Sequence, residues 1–328
     1  MKWLITGGCG FIGRNLIQNL LGEGGHSIRI VDNLSVGSRE ELALVSGFTE
    51  SAANVLSFPV LTSTSVELIV GDILDERLAA KVTQDMDIVV HLAANTGVAP
   101  SVADPRMDCV TNVLGTFNYL EAARVNNVKR FVFASSGAPA GECEPPIHEE
   151  LPPHPVSPYG ASKLAGEGYC SAYYRTFGVE TVALRFSNVY GPLSSKKESV
   201  VAKFIKKAMA GEPLEIYGDG SQTRDFLYID DLIRAVRLAG ATPDIGGETF
   251  QIAAAKETTV VEIADRLKQL FQDCENSKNV CISYLEPRLG DVKRNFSDTG
   301  KAKNRLGWQP QMLLDQGLRV TLAWFMSH

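Results

Sequence analysis

A tyrosine and a lysine are the side chains in this sequence whose types and spacing best suit chemistry. Tyr159 and Lys163 stand four residues apart in the segment Ser157-Pro158-Tyr159-Gly160-Ala161-Ser162-Lys163. Four residues make about one helical turn, so both side chains would share one face of a helix. A nearby ammonium favours the ionised phenol and would lower the pKa of Tyr159 from about 10 toward the range of a general base. The same spacing is common in ordinary exposed pairs, so the surrounding chain must decide between these interpretations.

The elements around this pair predict that it lies at the end of a strand. Ser157 as cap and Pro158 at the first helical position predict a helix that runs to about Phe177. The apolar run before it, residues 130–134, predicts a strand that ends at Ser136. Alone, Ser136 would be interpreted as an ordinary turn residue. Because the strand leads into the Tyr159 helix, we expect the three side chains to meet.

A glycine-rich turn near the start of the chain predicts a dinucleotide site. The apolar run of residues 2–6 leads into Gly8-x-Gly10-x-x-Gly13 and a helical pattern, in which glycines let the backbone approach a pyrophosphate. The candidate cofactor-binding residues of this turn are Gly7, Gly10, Phe11, Ile12 and Gly13. The next strand ends in Asp32, whose carboxylate would hold a ribose 2'-hydroxyl and favour NAD over NADP. Asp32 would otherwise cap the following turn.

Strands that alternate with helices predict an α/β fold. Further apolar runs over residues 66–70, 87–92 and 179–186 complete the pattern, and they predict a Rossmann-like doubly wound parallel sheet over residues 1–185. The alternation loosens afterwards, so residues 186–328 are expected to form a smaller α+β substrate-binding domain, with segments near 225–255 packing back on the first. Residues 37–65 show no period and are predicted to be a surface excursion.

Composition excludes several other classes of protein. The chain has 328 residues, of which 45% are hydrophobic, and a formal charge of -6, which argues against a nucleic-acid partner because phosphate binding needs clustered cations. Its six cysteines are scattered without a C-x-x-C pair, so we expect reduced thiols and no metal site. No apolar run approaches the roughly 18 residues that span a bilayer. We therefore expect a cytoplasmic protein with no membrane partner.

Together these features suit hydride transfer between NAD and a secondary alcohol. Such a transfer needs a base that takes the hydroxyl proton while hydride leaves the carbon. Tyr159 as phenolate can be that base, Lys163 can lower its pKa and bind the nicotinamide ribose, and Ser136 can polarise the forming ketone. The predicted catalytic residues are Ser136, Tyr159 and Lys163.

A series of short segments along the chain adds a family resemblance. They are Thr6–Gly13, Asp32-Asn33, Gly71-Asp72-Ile73, His91-Leu92-Ala93-Ala94, Ser135-Ser136, Tyr159–Lys163, Arg185–Pro192, Arg224-Asp225-Phe226 and Arg288–Val292. Together they resemble the extended short-chain dehydrogenase/reductases, and within these the nucleotide-sugar epimerase and dehydratase group, nearest to UDP-glucose 4-epimerase-like enzymes. The resemblance covers essentially the whole chain.

The resemblance implies NAD as cofactor, a UDP-sugar as substrate, and a set of contacts to each. Besides the glycine turn, Asp32, Tyr159 and Lys163, the implied cofactor-binding residues are Asn33, Ser35, Asp72, Ile73, Leu92, Ala93, Ala94, Asn112 and Phe186. The implied substrate-binding residues are Ser136, Asn188, Val201, Tyr217, Arg224, Arg288, Asp291 and Asn295. Of these, Asn188, Arg224 and Arg288 would hold the diphosphate, which suits the guanidinium groups, and Asp291 the nucleotide ribose. As isolated residues, the arginines would be interpreted as surface ion-pair partners.

The resemblance also implies a homodimer through the helices after Asp104 and after Pro158, although packing within one chain explains these helices equally well. The reaction is indicated by Gly137-Ala138, which stands where dehydratases of the group carry an Asp-Glu pair. No evident acid would then protonate a leaving hydroxyl, so we expect a UDP-sugar 4-epimerase that forms a transient 4-keto sugar. A dehydratase, a 4-keto reductase and a non-catalytic NAD-binding regulator are the alternatives.

Two departures from the family pattern affect the expected sugar. Pro139-Ala140-Gly141 replaces the Val-Tyr-Gly that often follows the catalytic hydroxyl. Asn295 stands where some UDP-galactose enzymes have a bulky tyrosine. The smaller side chain would leave room for an N-acetylhexosamine or a uronic acid.

Overall fold

The computed structural model describes residues 1–55, 57–62, 64–273, 280–286 and 293–328. Its strands are β1 (Lys2–Thr6), β2 (Ser27–Asp32), β3 (Thr49–Ser51), β4 (Val66–Val70), β5 (Ile88–His91), β6 (Arg130–Ser136), β7 (Thr181–Phe186), β8 (Asn188–Tyr190), β9 (Leu214–Tyr217), β10 (Thr223–Arg224), β11 (Phe226–Tyr228), β12 (Glu248–Ile252), β13 (Thr258–Thr259) and β14 (Ile282–Leu285). Its α-helices are α1 (Phe11–Glu23), α2 (Arg39–Ala43), α3 (Glu76–Val82), α4 (Val98–Ala103), α5 (Pro105–Cys109), α6 (Gly115–Val125), α7 (Pro158–Phe177), α8 (Val200–Ala210), α9 (Ile229–Ala241), α10 (Val260–Gln272) and α11 (Leu314–Ser327).

A parallel sheet with the order β12-β7-β6-β5-β1-β2-β4-β3 forms the centre of the molecule. Apolar runs such as Ile88-Val89-Val90 are buried along their whole length, as expected of parallel strands covered by helices on both faces. From β1 the order runs outward in both directions, through β2 on one side and β5 on the other. Ligands of such sheets bind beyond the carboxyl ends of the strands at this switch point. The predicted doubly wound fold is confirmed.

The side chains of successive β1 residues pack into two separate hydrophobic cores. Leu4 packs in one core with Val89 and Phe131, whereas Ile5 packs in the other with Leu16 and other apolar residues of α1. Alternation between the faces follows from the two-residue repeat of a strand. The sheet is therefore fixed from both sides, which holds its carboxyl edge rigid.

The chain after Phe186 contributes one strand to the main sheet and three short strand pairs outside it. β12 pairs with β7 at the edge of the main sheet, and α9 contacts α1. Three short pairs, β8 with β11, β9 with β14 and β10 with β13, lie outside the main sheet. They carry several of the residues for which the resemblance implies substrate contacts.

Two segments contain structure that the sequence did not reveal. In the excursion of residues 37–65, β3 pairs in parallel with β4, and the Ser51 hydroxyl donates to Glu67 Oε1 at 2.6 Å. A three-residue strand is too short to show a period, yet it covers the sheet edge. The single helix predicted after Asp104 begins there as expected, with Asp104 Oδ1 accepting from the Met107 N–H at 2.9 Å. It is interrupted by a π-helical turn, Val110–Leu114, between α5 and α6.

Candidate active site

The three predicted catalytic residues meet at the carboxyl edge of the sheet. Ser136 is the last residue of β6, while Tyr159 and Lys163 lie in the first two turns of α7. The Ser157 hydroxyl accepts from the Gly160 N–H at 3.1 Å and caps the helix. A Cβ at Gly160 would lie 2.7 Å from the Ala138 carbonyl oxygen, so α7 begins directly against the turn that follows Ser136.

The Tyr159 phenol is hydrogen-bonded with Ser136, but its pKa is not lowered by Lys163. Burial raises the pKa of Tyr159 to about 12, and the hydrogen bond with Ser136 opposes that rise. The Lys163 ammonium donates to the Ala134 carbonyl at 2.8 Å and lies 5.8 Å from the centroid of the Tyr159 ring. The expectation that Lys163 lowers this pKa was wrong for the structure, because helical spacing does not fix where the ammonium points.

Lys163 is itself buried beside two carboxylates that sequence reasoning missed. Burial lowers the pKa of Lys163 to about 8, and the charges of Asp108 and Glu167 oppose that fall. Glu167 accepts from the Ser135 hydroxyl at 2.5 Å and from two nitrogens of Arg185 at 2.8 Å each. These bonds tie α7 to the ends of β6 and β7. Glu167 follows Lys163 by one further helical turn, a spacing that could have indicated it.

Asn112, an implied cofactor residue, sits in the π-helical turn and is engaged with the protein. Its side chain accepts from the Asn95 N–H at 2.8 Å and donates to the Asn95 carbonyl at 2.9 Å and to Asp108 Oδ1 at 2.8 Å. π-Helical turns occur often at functional sites. Asn112 therefore holds the segment after β5 against α5, and its cofactor contact stays a prediction.

The glycine turn packs too closely for larger residues. Gly7 has φ +69°, and a Cβ there would lie 2.9 Å from the Ala93 nitrogen. A Cβ at Gly13 would lie 2.5 Å from the Gly8 Cα. α1 begins at Phe11 with no side-chain cap and no acidic residue in its first turn. Its first N–H groups and the positive end of its dipole are therefore suited to a phosphate.

Asp32 holds the glycine turn in place, whichever ligand binds there. Its carboxylate accepts from the Cys9 N–H at 2.9 Å and from the Leu34 N–H at 2.8 Å, and burial raises its pKa. Asp32 therefore does cap the following turn, as the alternative interpretation expected. The remaining lone pairs of its carboxylate can still accept from a ribose hydroxyl. Next to it, Asn33 donates to Asp72 at 3.1 Å and accepts from the Ser35 N–H at 3.1 Å.

The other implied cofactor residues lie along the same edge. Thr6 Oγ1 bonds with His91 at 3.0 Å and accepts from the Ala93 N–H at 3.1 Å, which joins the ends of β1 and β5. The remaining implied residues of this edge are Ile73, Leu92, Ala94 and Phe186, of which Ile73 is buried and the others are partly buried. Their cofactor contacts stay predictions.

The implied substrate residues come from several separate segments. Asn188 is exposed on β8, where its N–H donates to the Asp225 carbonyl at 2.9 Å. Val201 is 2% exposed and packs in the core, while the Tyr217 ring lies 5.5 Å from the Lys203 ammonium. Arg224 Nη1 donates to the Thr223 carbonyl at 2.6 Å. Arg288 and Asp291 lie outside the described residues.

Asn295 belongs to a segment that pairs with the proline-rich loop of residues 142–158. The Ile147 N–H donates to the Phe296 carbonyl at 2.9 Å, and the Asp298 N–H to the Ile147 carbonyl at 2.8 Å. The buried Asp225 carboxylate accepts from the Ser297 N–H at 3.4 Å and from the Ala254 N–H at 2.7 Å. Loop and segment therefore form one wall beside the β10 residues.

Neither a metal-ligand cluster nor a membrane-spanning helix is found among the described residues. Among them, no group of three or more His, Cys, Asp or Glu side chains is placed to hold a metal ion. In the same ranges, no helix combines the length and the apolar character needed to cross a bilayer.

Comparison with curated proteins places this arrangement among nucleotide-sugar enzymes. The UDP-glucose 4-epimerase of Mycolicibacterium smegmatis is 35% identical, over 100% of this chain and 99% of its own. The dTDP-glucose 4,6-dehydratase of Haemophilus influenzae is 32% identical, over 99% of this chain and 98% of its own. Both activities are therefore represented among relatives of similar identity.

Solved structures agree with the sequence relatives. The Thermotoga maritima UDP-glucose 4-epimerase with UDP-glucose is 34% identical, covers 100% of this chain and 99% of its own, and has a TM-score of 0.87. The Bacillus cereus UDP-glucuronic acid 4-epimerase with UDP-glucuronic acid and NAD is 31% identical with a TM-score of 0.85, over 100% and 99% of the two chains. Residues 3–253 match the model of the NAD dependent epimerase/dehydratase family, which confirms the predicted cofactor. The chain belongs to this NAD-dependent family of nucleotide-sugar epimerases and dehydratases.

Proposed function

We propose that this enzyme is an NAD-dependent UDP-sugar 4-epimerase that acts through a transient 4-keto sugar. The turn after Ser136 carries the proposal: it consists of Gly137 and the short 3-10 helix Ala138–Ala140, and the Ala138 N–H donates to the Ser136 hydroxyl at 3.2 Å. An elimination of water needs a group that protonates the leaving hydroxyl. This turn supplies no acid, so Tyr159 is left as the proton-transfer group hydrogen-bonded with Ser136.

The residues divide the work of a reversible oxidation at one carbon. NAD, when bound, supplies hydride acceptance and its return. Tyr159 takes the proton from the sugar 4-hydroxyl, and the Ser136 hydroxyl donates a hydrogen bond to the developing ketone oxygen. The Lys163 ammonium donates to the Ala134 carbonyl at 2.8 Å and lies 5.8 Å from the centroid of the Tyr159 ring, so its proposed role is to bind the nicotinamide ribose. Tyr159 then returns the proton to the 4-oxygen of the opposite epimer, which completes the cycle.

The presence of Asn295 supports the proposal that the sugar can carry a larger polar substituent, such as an N-acetyl group or a carboxylate. Its backbone N–H donates to Thr223 Oγ1 at 3.4 Å, which fixes the residue beside Arg224. Its amide side chain makes no hydrogen bond with the described residues, so it is available to a polar substituent. UDP-N-acetylglucosamine and UDP-glucuronate are therefore proposed alongside UDP-glucose.

The test incubates the purified protein with these three UDP-sugars and no added cofactor. The C4 epimer should form in each case, because NAD is regenerated within the cycle. A requirement for stoichiometric NAD, reduced to NADH as the sugar alcohol is oxidised, would refute the epimerase and favour a net oxidoreductase, that is, the reductase alternative running in its oxidising direction. A 4-keto-6-deoxy product would establish the dehydratase, and a complete lack of turnover with NAD bound would leave the regulator. Strict preference for UDP-glucose would remove the role given to Asn295.

The proposal extends to domains and assembly. We assign NAD binding to residues 1–185 and nucleotide-sugar binding to residues 186–328, with β12 in the main sheet. A homodimer is supported by apolar side chains exposed on the helices after Asp104 and Pro158, among them Leu114 at 52% and Phe177 at 54%. Leu114→Glu combined with Phe177→Glu should halve the mass measured by light scattering. The free cysteines of the described part, such as Cys9 and Cys170, suit the proposed cytoplasmic location.

A further inference from the structure

A strap from the second half of the chain crosses the first turns of α1. The strap consists of residues 192–197, between β8 and α8. The Arg14 guanidinium donates to the Leu193 carbonyl at 2.8 Å, and the Asn15 amide to the Pro192 carbonyl at 3.3 Å. Arg14 is 2% exposed and Asn15 8%, so these bonds are shielded from water. The strap is therefore fixed on the helix that begins at the glycine turn.

The strap carries two adjacent lysines with opposite surroundings. Lys196 pairs with Glu41 at 2.7 Å, and its side chain is 48% exposed. The backbone of Lys197 is held at both ends, since its N–H donates to the Ser194 carbonyl at 2.9 Å and its carbonyl accepts from the Lys206 ammonium at 2.9 Å. In the described chain, the Lys197 ammonium has neither a hydrogen bond nor an ion pair. It lies 5.5 Å from the centroid of the Phe11 ring.

An uncompensated ammonium in this position is unfavourable without an anion. Burial lowers the pKa of Lys197, and no carboxylate of the described residues opposes that shift. Phe11 is the first residue of α1, so the ammonium also lies near the positive end of the helix dipole. A cation–π contact offsets only a small part of this cost at a partly exposed site. An anion bound at the glycine turn would compensate both the charge of Lys197 and that of the helix end.

We propose that Lys197 binds the diphosphate of the dinucleotide. This rests on the NAD site at the glycine turn, not on the identity of the sugar. The diphosphate of a nucleotide sugar offers the same chemistry, but the contact with Phe11 favours the dinucleotide. A lysine suits this role because its ammonium is a compact charge on a flexible stem that can swing from the ring to a phosphate oxygen. Lys196, paired with Glu41, has no such part.

The test compares Lys197→Met, which keeps the apolar stem, with Lys129→Met. Lys129 immediately precedes β6 at the amino edge of the sheet and pairs with Asp87, with its side chain 76% exposed, so this control removes the same charge far from the site. Calorimetric titration of cofactor-free protein with NAD, ADP-ribose and UDP reports the three affinities. In Lys197→Met, the Kd for NAD and ADP-ribose should rise about tenfold or more, as expected for one charge-assisted contact, while that for UDP stays within twofold. Lys129→Met should leave all three unchanged.

Two outcomes would overturn the proposal. Unchanged NAD and ADP-ribose affinities in Lys197→Met would show that the ammonium does not reach the cofactor. Weaker UDP binding with unchanged NAD binding would assign Lys197 to the nucleotide sugar instead. Ligand-free thermal unfolding guards against a folding defect, because loss of an unpaired ammonium should not lower Tm, and Lys197→Gln provides a second variant. All readouts are affinities, so a protein that binds NAD without epimerising would refute the proposed function and leave this inference intact.

Discussion

The catalytic edge and the substrate wall of this enzyme are built in different ways. Ser136 ends β6, Tyr159 and Lys163 lie in the first two turns of α7, and buried bonds such as that of Glu167 with Arg185 fix these two elements to the sheet. The wall combines residues 142–158 with residues 293–298. These join through backbone pairing and exposed ion pairs, and the buried Asp225 carboxylate holds the second segment by accepting from Ser297.

This difference suggests where chemistry and selectivity reside. A unit held by buried side-chain bonds keeps its geometry when surface segments change, so one catalytic edge can serve several substrates. A wall assembled from distant segments can vary without disturbing that edge. The relatives fit this division, since a named epimerase and a named dehydratase are 35% and 32% identical to this chain over nearly their whole length.

The largest effect is expected when the proposed general base, Tyr159, is removed from the catalytic edge. Tyr159→Phe removes the hydroxyl that takes the sugar proton, and kcat should fall about 10²–10⁴-fold, the range for loss of a general base. NAD should remain bound within a fewfold of the wild-type Kd. Tyr174→Phe, on the same helix, is the matched control and should keep full turnover. Wild-type kcat in Tyr159→Phe would show that another group is the base.

Helical spacing predicts the geometry of the catalytic edge but not its electrostatics. The capped start of α7 and the shared face of Tyr159 and Lys163 follow from local pattern, and both are present in the structure. The electrostatic consequence does not follow, because the pKa of Tyr159 depends on burial and on the Lys163 ammonium turning to Ala134. Asp108 reaches the site from another helix, beyond the reach of any local pattern.

The substrate wall was less predictable, because its contacts also join segments that are distant in the chain. Asp225 and Ser297, which hydrogen-bond, are 72 residues apart in the chain. The loop beside Asn295 is rich in proline, and prolines fix local shape but not a pairing partner, so its pairing with residues 296–298 could not be predicted. The resemblance named Arg224 and Asn295, and the structure shows which segments hold them. Arg288 and Asp291 lie outside the described residues, so their roles stay predictions.

The next largest effect tests whether the wall acts on substrate binding rather than on chemistry. Arg224→Gln removes a proposed contact with the substrate diphosphate, and one charge-assisted bond contributes about 1.5–3 kcal/mol. KM for the UDP-sugar should therefore rise about tenfold or more while kcat changes little, the signature of lost uniform binding. Arg224→Lys should recover part of the affinity, because it keeps charge without the guanidinium fork. A fall in kcat at unchanged KM would place Arg224 at the catalytic edge.

A smaller effect is expected when the buried Asp225 carboxylate, which holds the Ser297 segment of the wall, is altered. Asp225→Asn keeps the shape but weakens acceptance from the backbone N–H groups, so the free energy of unfolding should fall by about 1–3 kcal/mol. Urea unfolding measures this loss. Ser221→Ala, at an exposed turn residue that bonds only with Asp219 in the described structure, is a control expected to change stability little.

The same variant has a pH dependence of defined sign. Burial raises the pKa of Asp225 to about 6, above the unfolded value of about 3.9. Between these values the folded wild type holds more protons than the unfolded chain, so its unfolding free energy falls as pH rises from about 4 to about 6. Asp225→Asn lacks this term, and the wild-type advantage should shrink across that window. An advantage that grows with pH would show that the backbone N–H bonds outweigh burial.

The smallest effect is expected at the ion pairs on the outside of the wall. Arg294 bonds with Glu144 at 2.6 Å and with both oxygens of Glu257 at 2.8 and 3.0 Å, yet its side chain is 43% exposed. Water and salt screen such pairs, so Arg294→Ala should leave the urea midpoint nearly unchanged and KM within twofold. Urea unfolding and steady-state kinetics check both values. A clearly lower midpoint would mean that the exposed pairs, rather than the backbone bonds of Ile147, hold the loop against the Asn295 segment, and the wall would then be adjustable by ionic strength.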